Sequence, residues 1–395
     1  MKIAGIIAEY NPLHRGHLLP VEAARAAGAT HTVTVMSGNF VQRGEPALCP
    51  WPYRVTAALQ SGVDLVLQLP LPYAAATAEH FAGGAVATLD ALGCVELLVF
   101  GSEAGELVPL ERTASLLDSP EFSAALAGQP QGCTFAAARQ QAVASLSDEQ
   151  TAMLLSSPNN ILGIEYLRAL HRLGSEIRPL TLRRCGALHD EAPVGDSVSA
   201  GWLRRQFYAG DDITDYLPKE MAEQLLLAEK EGAIPSPALW ERPLMVHLRT
   251  MSESELAALP DIREGLEHRL YRAIRTAATP QEVLTLAKSK RYTHARLRRI
   301  LLAAALGIPA GLSVAPPPYL RVLGMTPRGA EILACAKKTA KLPMDASLAV
   351  LAKTSEEAAR FAALEAHSAD LYHTVTPAIA PCGTEYTQPL IKVGF

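Results

Sequence analysis

The first part of the chain alternates between short apolar runs and longer segments with helical periodicity. Helical patterns cover residues 18–27, 51–61 and 78–92, and another runs from Ser157 to Gly174. This alternation predicts an α/β fold, a Rossmann-like sheet of parallel strands joined by right-handed crossovers. The apolar runs that we interpret as buried strands are residues 2–7, 31–36, 63–68, 95–100 and 177–182.

The pattern changes twice further along the chain. Residues from about 106 to 157 are helical in character but are interrupted by prolines, which predicts a helical insertion. Prolines cluster again just after residue 233, and the remainder is mainly helical in pattern. We therefore predict an α/β domain over residues 1–233 and a mainly helical C-terminal domain over residues 234–395.

A short polar motif, His14-Arg-Gly-His17, lies between the first predicted strand and the first helix. A helix N-terminus presents unpaired backbone N–H groups and a partial positive charge, and Gly16 allows a close approach of the backbone. The two imidazoles could donate hydrogen bonds to phosphate oxygens and stabilise charge in nucleotidyl transfer. A fortuitous structural turn is the alternative, but the position between strand and helix favours phosphate binding.

Other polar residues follow predicted strands at the same edge of the sheet. Arg184 and Arg204 are either solvated arginines at helix ends or bidentate ligands of a triphosphate. Asn159 and Asn160 are either helix caps or ligand contacts. Gly101 is either a turn residue or part of the same site, and the residues alone leave these alternatives open.

The C-terminal half contains a strongly basic stretch from Lys288 to Arg299. It has six lysines or arginines and no acidic residue within twelve positions. A solvated helix face is the simple interpretation, whereas an RNA-backbone contact, with Tyr292 stacking on a base, is the functional one. The basic side chains predicted to bind RNA are Lys288, Lys290, Arg291, Arg296, Arg298 and Arg299.

Composition narrows the class of protein. The 395 residues are 49% hydrophobic and 19% charged, which argues against extensive disorder. No apolar run approaches the roughly 18 residues of a membrane span, and no signal-peptide pattern is present. Net charge is −4, so any nucleic-acid surface must be local.

The six cysteines are scattered without a C-x-x-C pair. We therefore expect reduced thiols in a cytoplasmic protein and no zinc site. No other cluster of metal-ligating residues is evident, so we expect any Mg²⁺ to arrive with a nucleotide.

Longer motifs make the family recognisable. Glu9-Tyr-Asn-Pro12 precedes His14-x-Gly-His17, and the later segments Met36–Ala47, Phe100–Glu103, Pro158–Gly163 and Lys290–Thr293 follow in order. Together these segments resemble the bacterial tRNA(Met) cytidine acetate ligase family. The resemblance runs from Ile6 to about Gly329.

The resemblance implies a class I nucleotidyltransferase core that uses ATP and acetate to form acetyl-adenylate. The acetyl group would pass to the wobble cytidine of elongator tRNA(Met), giving N4-acetylcytidine. His14 and His17 would be catalytic, and the resemblance leaves open whether Asn159 or Asn160 contacts the ligand. The implied ATP-binding residues are Ile7, Ala8, Glu9, Tyr10, Asn11, Pro12, His14, Gly16, His17, Gly101, Asn159 and Arg184.

One segment departs from the wider nucleotidyltransferase pattern. The late Ser/Thr-rich signature that ends in arginine corresponds here to Ser199-Ala-Gly201-Trp-Leu-Arg204. Gly201 stands where a hydroxyl residue is expected and can supply no side-chain contact. Ser199 and Arg204 stay as predicted phosphate contacts within the ATP site.

Two other functions are compatible with the motifs. One is a nucleotidyltransferase that adenylylates a small phosphorylated metabolite, although such an enzyme needs little beyond the sheet domain. The other is a non-catalytic, nucleotide-binding factor associated with RNA, against which the intact His14, Gly16 and His17 argue. The sequence leaves the oligomeric state open, as well as the choice between acetate and another small acid.

Overall fold

The computed structural model describes residues 1–129, 134–184 and 198–395. Most of its strands form one central sheet, and β3 and β4 form a separate hairpin. The strands are β1 Ile3–Ala8, β2 His31–Ser37, β3 Phe40–Val41, β4 Glu45–Pro46, β5 Leu65–Leu69, β6 Leu97–Ser102, β7 Arg178–Arg183, β8 Leu320–Met325, β9 Met344–Asp345 and β10 Ile391–Lys392.

Helices cover both faces of the sheet and make up most of the region between β7 and β8. Short 3₁₀ helices occur at Arg15–His17, Leu154–Ser156 and Thr214–Tyr216. The α-helices are α1 Leu19–Ala26, α2 Trp51–Gln60, α3 Leu71–Ala74, α4 Ala78–Leu92, α5 Leu107–Leu117, α6 Pro120–Ala127, α7 Phe135–Leu146, α8 Glu149–Met153, α9 Pro158–Leu173, α10 Ala200–Ala209, α11 Lys219–Lys230, α12 Pro237–Thr250, α13 Glu253–Ala257, α14 Leu266–Thr276, α15 Pro280–Ala287, α16 His294–Leu306, α17 Pro327–Thr339, α18 Leu348–Leu351, α19 Glu356–Thr374 and α20 Thr384–Thr387.

The predicted Rossmann-like sheet is confirmed. Its parallel strands lie in the order β5-β2-β1-β6-β7, and all five correspond to predicted apolar runs. The strand order reverses between β1 and β6, because the chain leaves β1 toward β2 and later returns to β6 on its other side. In doubly wound sheets a ligand binds at the carboxyl ends of the strands at this switch point.

The sequence prediction missed the strands beyond residue 306. Strand β8 pairs antiparallel with β5, and β10 then pairs parallel with β8. Strand β8 pairs with β5, which is far away in the chain, so no local sequence pattern predicts this pairing. The division of the chain at residue 233 stays a prediction, but residues 320–325 clearly return to the sheet.

The two faces of the sheet have separate cores. Ile3 and Val33 face α4 and α9, whereas Ala4 and Ile6 face α1, α2 and α11, as expected for alternating side chains of a strand. Gly5 is needed for this packing, since a Cβ there would lie 2.7 Å from Leu89 Cδ1.

Residues 237–306, which we call the helical module, contain helices α12–α16 around a core of their own. A further cluster, which includes Phe40, Leu302 and Tyr372, joins this module to the sheet domain. No helix in the described ranges is long and apolar enough to cross a membrane. Cys49, Cys94, Cys335 and Cys382 carry free thiols, and Cys133 and Cys185 lie outside the described residues.

Candidate functional site

The polar turn after β1 is closed by two reciprocal hydrogen bonds. His14 Nδ1 accepts from the Gly16 N–H at 3.1 Å, and His17 Nδ1 accepts from the His14 N–H at 3.1 Å. This arrangement caps the 3₁₀ helix Arg15–His17. A Cβ at residue 16 would lie 2.9 Å from His14 Cε1, so a larger residue there would displace the His14 ring.

These bonds determine which nitrogen of each imidazole carries the proton. Because Nδ1 accepts in both rings, a neutral ring must carry its hydrogen on Nε2. Burial and the charge of Arg184 lower the pKa of His14 to about 3. Burial, His14 and Arg184 also lower the pKa of His17. The turn therefore presents two neutral Nε2–H donors on rings whose centroids are 3.9 Å apart.

The segment between β1 and the turn is held from several sides. Asn11 Oδ1 accepts from the Leu48 N–H at 2.7 Å, while Asn11 Nδ2 is buried without a partner in the described structure. Glu9 accepts from the Gln42 N–H at 2.7 Å, and burial raises the pKa of Glu9. A buried donor without a partner is costly, so Asn11 Nδ2 is a candidate ligand contact.

The remaining predicted residues of this segment determine where its backbone runs. Ile7 and Ala8 form the half-buried end of β1, and Pro12 is buried and follows Asn11 through a cis peptide bond. Tyr10 has a positive φ of 48°, and burial raises the pKa of its hydroxyl to about 12. The Tyr10 hydroxyl lies 3.3 Å from Thr34 Oγ1, so this side chain anchors the segment to β2.

Arg54, which the sequence analysis missed, fixes the ends of two strands. Its Nη1 donates to the backbone oxygens of Glu9 at 2.7 Å and Ser37 at 3.1 Å. Its Nε donates to the Cys49 oxygen at 3.0 Å, and the side chain is fully buried. An arginine on the apolar face of α2, between Trp51 and Val55, was the available signal.

The end of β6 contributes a second group of residues. Glu103 accepts from the backbone N–H groups of Asn159 at 3.2 Å and Asn160 at 2.7 Å, so its carboxylate caps α9. Asn160 Oδ1 accepts from the Ala104 N–H at 2.9 Å. Asn159 Oδ1 accepts from Arg184 Nη1 at 3.4 Å. Asn159 Nδ2 also donates to Glu103 Oε1 at 2.7 Å, so both asparagine side chains make internal hydrogen bonds, and only that of Asn159 also contacts Arg184.

Arg184 links the two groups of residues. Gly101 leaves room for it, because a Cβ at Gly101 would lie 2.8 Å from Arg184 Cγ. Its charge also acts on the pKa of both His14 and His17. The ends of β1, β6 and β7 therefore bring most predicted ATP-binding residues to the switch point of the sheet.

Ser199 and Arg204 make contacts within the protein. Ser199 Oγ accepts from the Trp202 N–H at 3.2 Å and caps α10. Arg204 is 9% exposed and donates to the Asn11 oxygen and to Glu45 Oε1, both at 2.7 Å. These contacts brace the Asn11 segment, and a phosphate contact by either residue stays a prediction.

The basic stretch is divided by its neighbours in space. Arg296 and Arg299 form ion pairs with Asp261, and Arg291 pairs with Glu264 at 3.4 Å. Lys288, Lys290 and Arg298 are exposed and have no ion-pair partner in the described part of the chain.

Tyr292 does not contribute to an exposed surface. Only 8% of its surface is exposed, it belongs to the core of the helical module, and its hydroxyl donates to the Glu264 oxygen at 3.3 Å. The prediction that Tyr292 stacks on a base is therefore wrong. The apolar body of tyrosine favours the core here, because its polar end still finds a partner.

Within residues 1–129, 134–184 and 198–395, no group of three or more histidine, cysteine or acidic side chains could hold a metal ion. The site instead combines two neutral imidazole donors and an arginine at the switch point of a parallel sheet. Such a site is suited to bind a nucleoside triphosphate. Fold and site together define a nucleotidyltransferase of the H-x-G-H class.

Comparisons with known proteins agree with this class and refine it. Residues 1–385 match the family model of the HIGH Nucleotidyl Transferase family. The tRNA(Met) cytidine acetate ligase of Syntrophotalea carbinolica is 41% identical over 361 residues, covering 88% of this chain and 85% of that protein. The ligase of the same name from Caldanaerobacter subterraneus is 38% identical over 403 residues, with both chains covered completely.

Solved structures of Thermotoga maritima TmcAL also match the chain over its full length. The apo form aligns with a TM-score of 0.94 and the form bound with alpha-thio ATP with a TM-score of 0.92, each at 31% identity with both chains fully covered. The chain belongs to the tRNA(Met) cytidine acetate ligase family, as the motifs indicated.

Proposed function

We propose that this chain is an ATP-dependent ligase that activates acetate and acetylates the wobble cytidine of elongator tRNA(Met). The observation that carries the proposal is the turn with two neutral Nε2–H donors at the switch point. Such donors are suited to negative charge that develops on phosphate oxygens. Full-length similarity to proteins named tRNA(Met) cytidine acetate ligase supports the choice of reaction.

The first step activates the acid. An acetate oxygen attacks the α-phosphorus of ATP, the bond to the β-phosphate oxygen breaks, and pyrophosphate leaves. His14 and His17 stabilise charge on the phosphates through Nε2–H, and Arg184 binds the leaving pyrophosphate with Asn159 beside it. Any Mg²⁺ would come with the nucleotide, where it would offset part of the triphosphate charge.

The second step transfers the acetyl group. The N4 amine of cytosine attacks the acetyl carbonyl carbon, the bond from that carbon to the AMP oxygen breaks, and the nitrogen loses a proton. Cytosine N4 is a weak nucleophile because its lone pair is delocalised into the ring. Its precise placement beside the mixed anhydride therefore supplies much of the rate.

The helical module is the proposed RNA-binding region, and the cytoplasm is the proposed place of action. Lys288, Lys290 and Arg298 are exposed cations suited to the RNA backbone. An anticodon loop offers unstacked bases, which proteins can take into pockets. Asn11 Nδ2, a buried donor without a partner, is the proposed additional contact to bound substrate.

Acetate-dependent exchange of pyrophosphate into ATP tests the first step. We expect exchange with acetate and without RNA, and weaker exchange with bulkier acids. Mass spectrometry of tRNA(Met) after incubation with ATP and acetate tests the second step. Exchange supported by a phosphorylated metabolite instead of acetate would favour the metabolite nucleotidyltransferase, and absence of all exchange would favour a non-catalytic factor.

A further inference from the structure

A large cavity lies between the sheet domain and the helical module. Its volume is about 790 Å³. One wall is the turn Arg43–Pro46 together with helix α10, and the other wall consists of helices α12, α15 and α16. Of the residues predicted for the ATP site, only Arg204 lines this cavity.

Arg204 connects the cavity wall to the segment that precedes the H-x-G-H turn. Arg204 donates from Nη2 to Glu45 in the cavity wall and from Nη1 to the Asn11 oxygen, both at 2.7 Å. Asn11 is three residues before His14. The space is therefore adjacent to the segment that carries the proposed adenylation chemistry.

Its walls are held at a fixed separation by a close backbone contact. At Gly44, which has a φ of 78°, a Cβ would lie 2.6 Å from the carbonyl carbon of Arg298 in α16. Only glycine permits this approach and this backbone conformation. Phe40 and Trp240 also pack across the boundary, with ring centroids 5.9 Å apart.

The lining has the chemistry of a nucleotide pocket. It includes the aromatic residues Tyr208 and Trp240, the exposed carboxylate of Glu241 and the exposed cation of Arg298. Bases bound outside a helix stack on aromatic side chains, and carboxylates accept hydrogen bonds from the cytosine N4 amine. Pockets for small ligands have volumes of roughly 300–1,000 Å³, a range that includes this cavity.

We propose that this cavity receives the acceptor cytosine of the RNA, turned out of its loop, and presents N4 toward the Asn11 segment. The inference rests on the proposed function. Arg298 lies both in the cavity wall and in the exposed basic set, so RNA bound along Lys288 and Lys290 reaches the mouth of the cavity. A cavity that binds only a free nucleotide or water would not need to open beside a basic surface.

Photocrosslinking tests the placement of the base without any chemistry. The probe is an RNA hairpin of the tRNA(Met) anticodon arm with 5-iodocytidine at the acceptor position, irradiated with the full-length protein in the absence of ATP. We expect crosslinked peptides that contain Tyr208 or Trp240. The control hairpin carries 5-iodocytidine at a neighbouring loop position and should not crosslink to these residues.

A variant that fills the cavity tests its use in the reaction. Gln281 is an exposed lining residue in the first turn of α15, and Gln281→Trp should lower acetyl transfer to the hairpin by about tenfold or more, because small misplacements of reacting groups are costly. ATP–pyrophosphate exchange should stay at the wild-type level. Leu286→Trp, at a 45% exposed position of the same helix outside the lining, should change neither activity.

Two results would overturn the pocket: crosslinks that map outside the cavity while acetylation proceeds, or normal transfer by a folded Gln281→Trp protein. Both leave the proposed function intact. If the wild-type protein shows neither acetate-dependent exchange nor acetylation of the hairpin, the proposed function itself fails. The two failures are therefore distinguishable in one set of assays.

Discussion

The H-x-G-H turn and the basic stretch Lys288–Arg299 are both short motifs, but the turn is held by contacts within itself and the basic stretch contacts residues distant in the chain. The turn is closed by hydrogen bonds between residues two and three positions apart. The basic stretch meets Asp261 and Glu264 across 27 to 38 positions, and these two acids pair with three of its six cations. The geometry of a motif with local contacts can therefore be predicted from the sequence. The net charge of a basic stretch depends on the acidic residues that the tertiary structure places beside it.

Removing the donors of the turn should have the largest effect. His14→Asn retains an oxygen that can cap the Gly16 N–H but has no donor at the Nε2 position. We expect acetate-dependent ATP–pyrophosphate exchange to fall by about 10²–10³, as for the loss of other charge-stabilising donors. His17→Ala should have a similar effect.

Filter binding of tRNA(Met) is the control for this pair of variants, and it should show nearly unchanged affinity. Exchange by His14→Asn at a rate close to the wild type would mean that the ring serves only as a cap. The turn would then have a structural role only, and the comparison with the basic stretch would concern folding and not catalysis.

The pH dependence of stability tests the neutral state of the turn. The pKa of His14 falls from 6.5 to about 3 on folding, so the native state binds fewer protons than the unfolded state. Its stabilising contribution is present above pH 6.5 and is lost as the pH falls from 6.5 toward 3. Relative to His14→Asn, the wild type should lose about 2 kcal/mol of unfolding free energy by pH 5.

Urea unfolding of both proteins at pH 7.5, 6 and 5 measures this difference, and comparison with the variant cancels the other titrating groups. A difference that stays constant over this range would show that His14 is not held neutral in the fold.

The unpaired and paired cations of the basic stretch should differ in their effect on RNA binding. Replacing Lys288, Lys290 and Arg298 by alanine should raise the Kd for tRNA(Met) about tenfold and reduce the salt slope of log K by about 2 to 3. Exchange of pyrophosphate should be unaffected. The control variant, Arg291→Ala with Arg296→Ala, should reduce the slope less, since both residues already pair with acids. An equal reduction of the salt slope in the two variants would show that paired and unpaired cations contribute alike to RNA binding.

The smallest expected effect comes from releasing two of the paired arginines. Asp261 has a φ of 65°, a conformation that asparagine adopts readily, so Asp261→Asn removes charge with little strain. Arg296 and Arg299 then lack their carboxylate partner. We expect tRNA affinity at low salt to rise about twofold to fivefold, with a steeper salt dependence. Unchanged binding would place these arginines away from the RNA.

Part of the candidate site could be predicted from the sequence, and the reasons are local. The strand–turn–helix order around His14 and His17 follows from apolar periodicity and a capping pattern of neighbouring residues. Buried Arg54, however, is informative only once its helix is known to face the ends of β1 and β2. Likewise, only the structure shows that Glu103 holds Asn159 and Asn160 at the start of α9.

The sequence by itself determined the five parallel strands, the helices between them and the position of the H-x-G-H turn between strand and helix, because periodicity and capping act over a few residues. Only the tertiary structure decided that β8 joins the sheet, that Asp261 and Glu264 neutralise part of the basic stretch, and that a cavity opens between α10 and the helical module. Each of these depends on residues distant in the chain, whose approach is set by burial of the core as a whole.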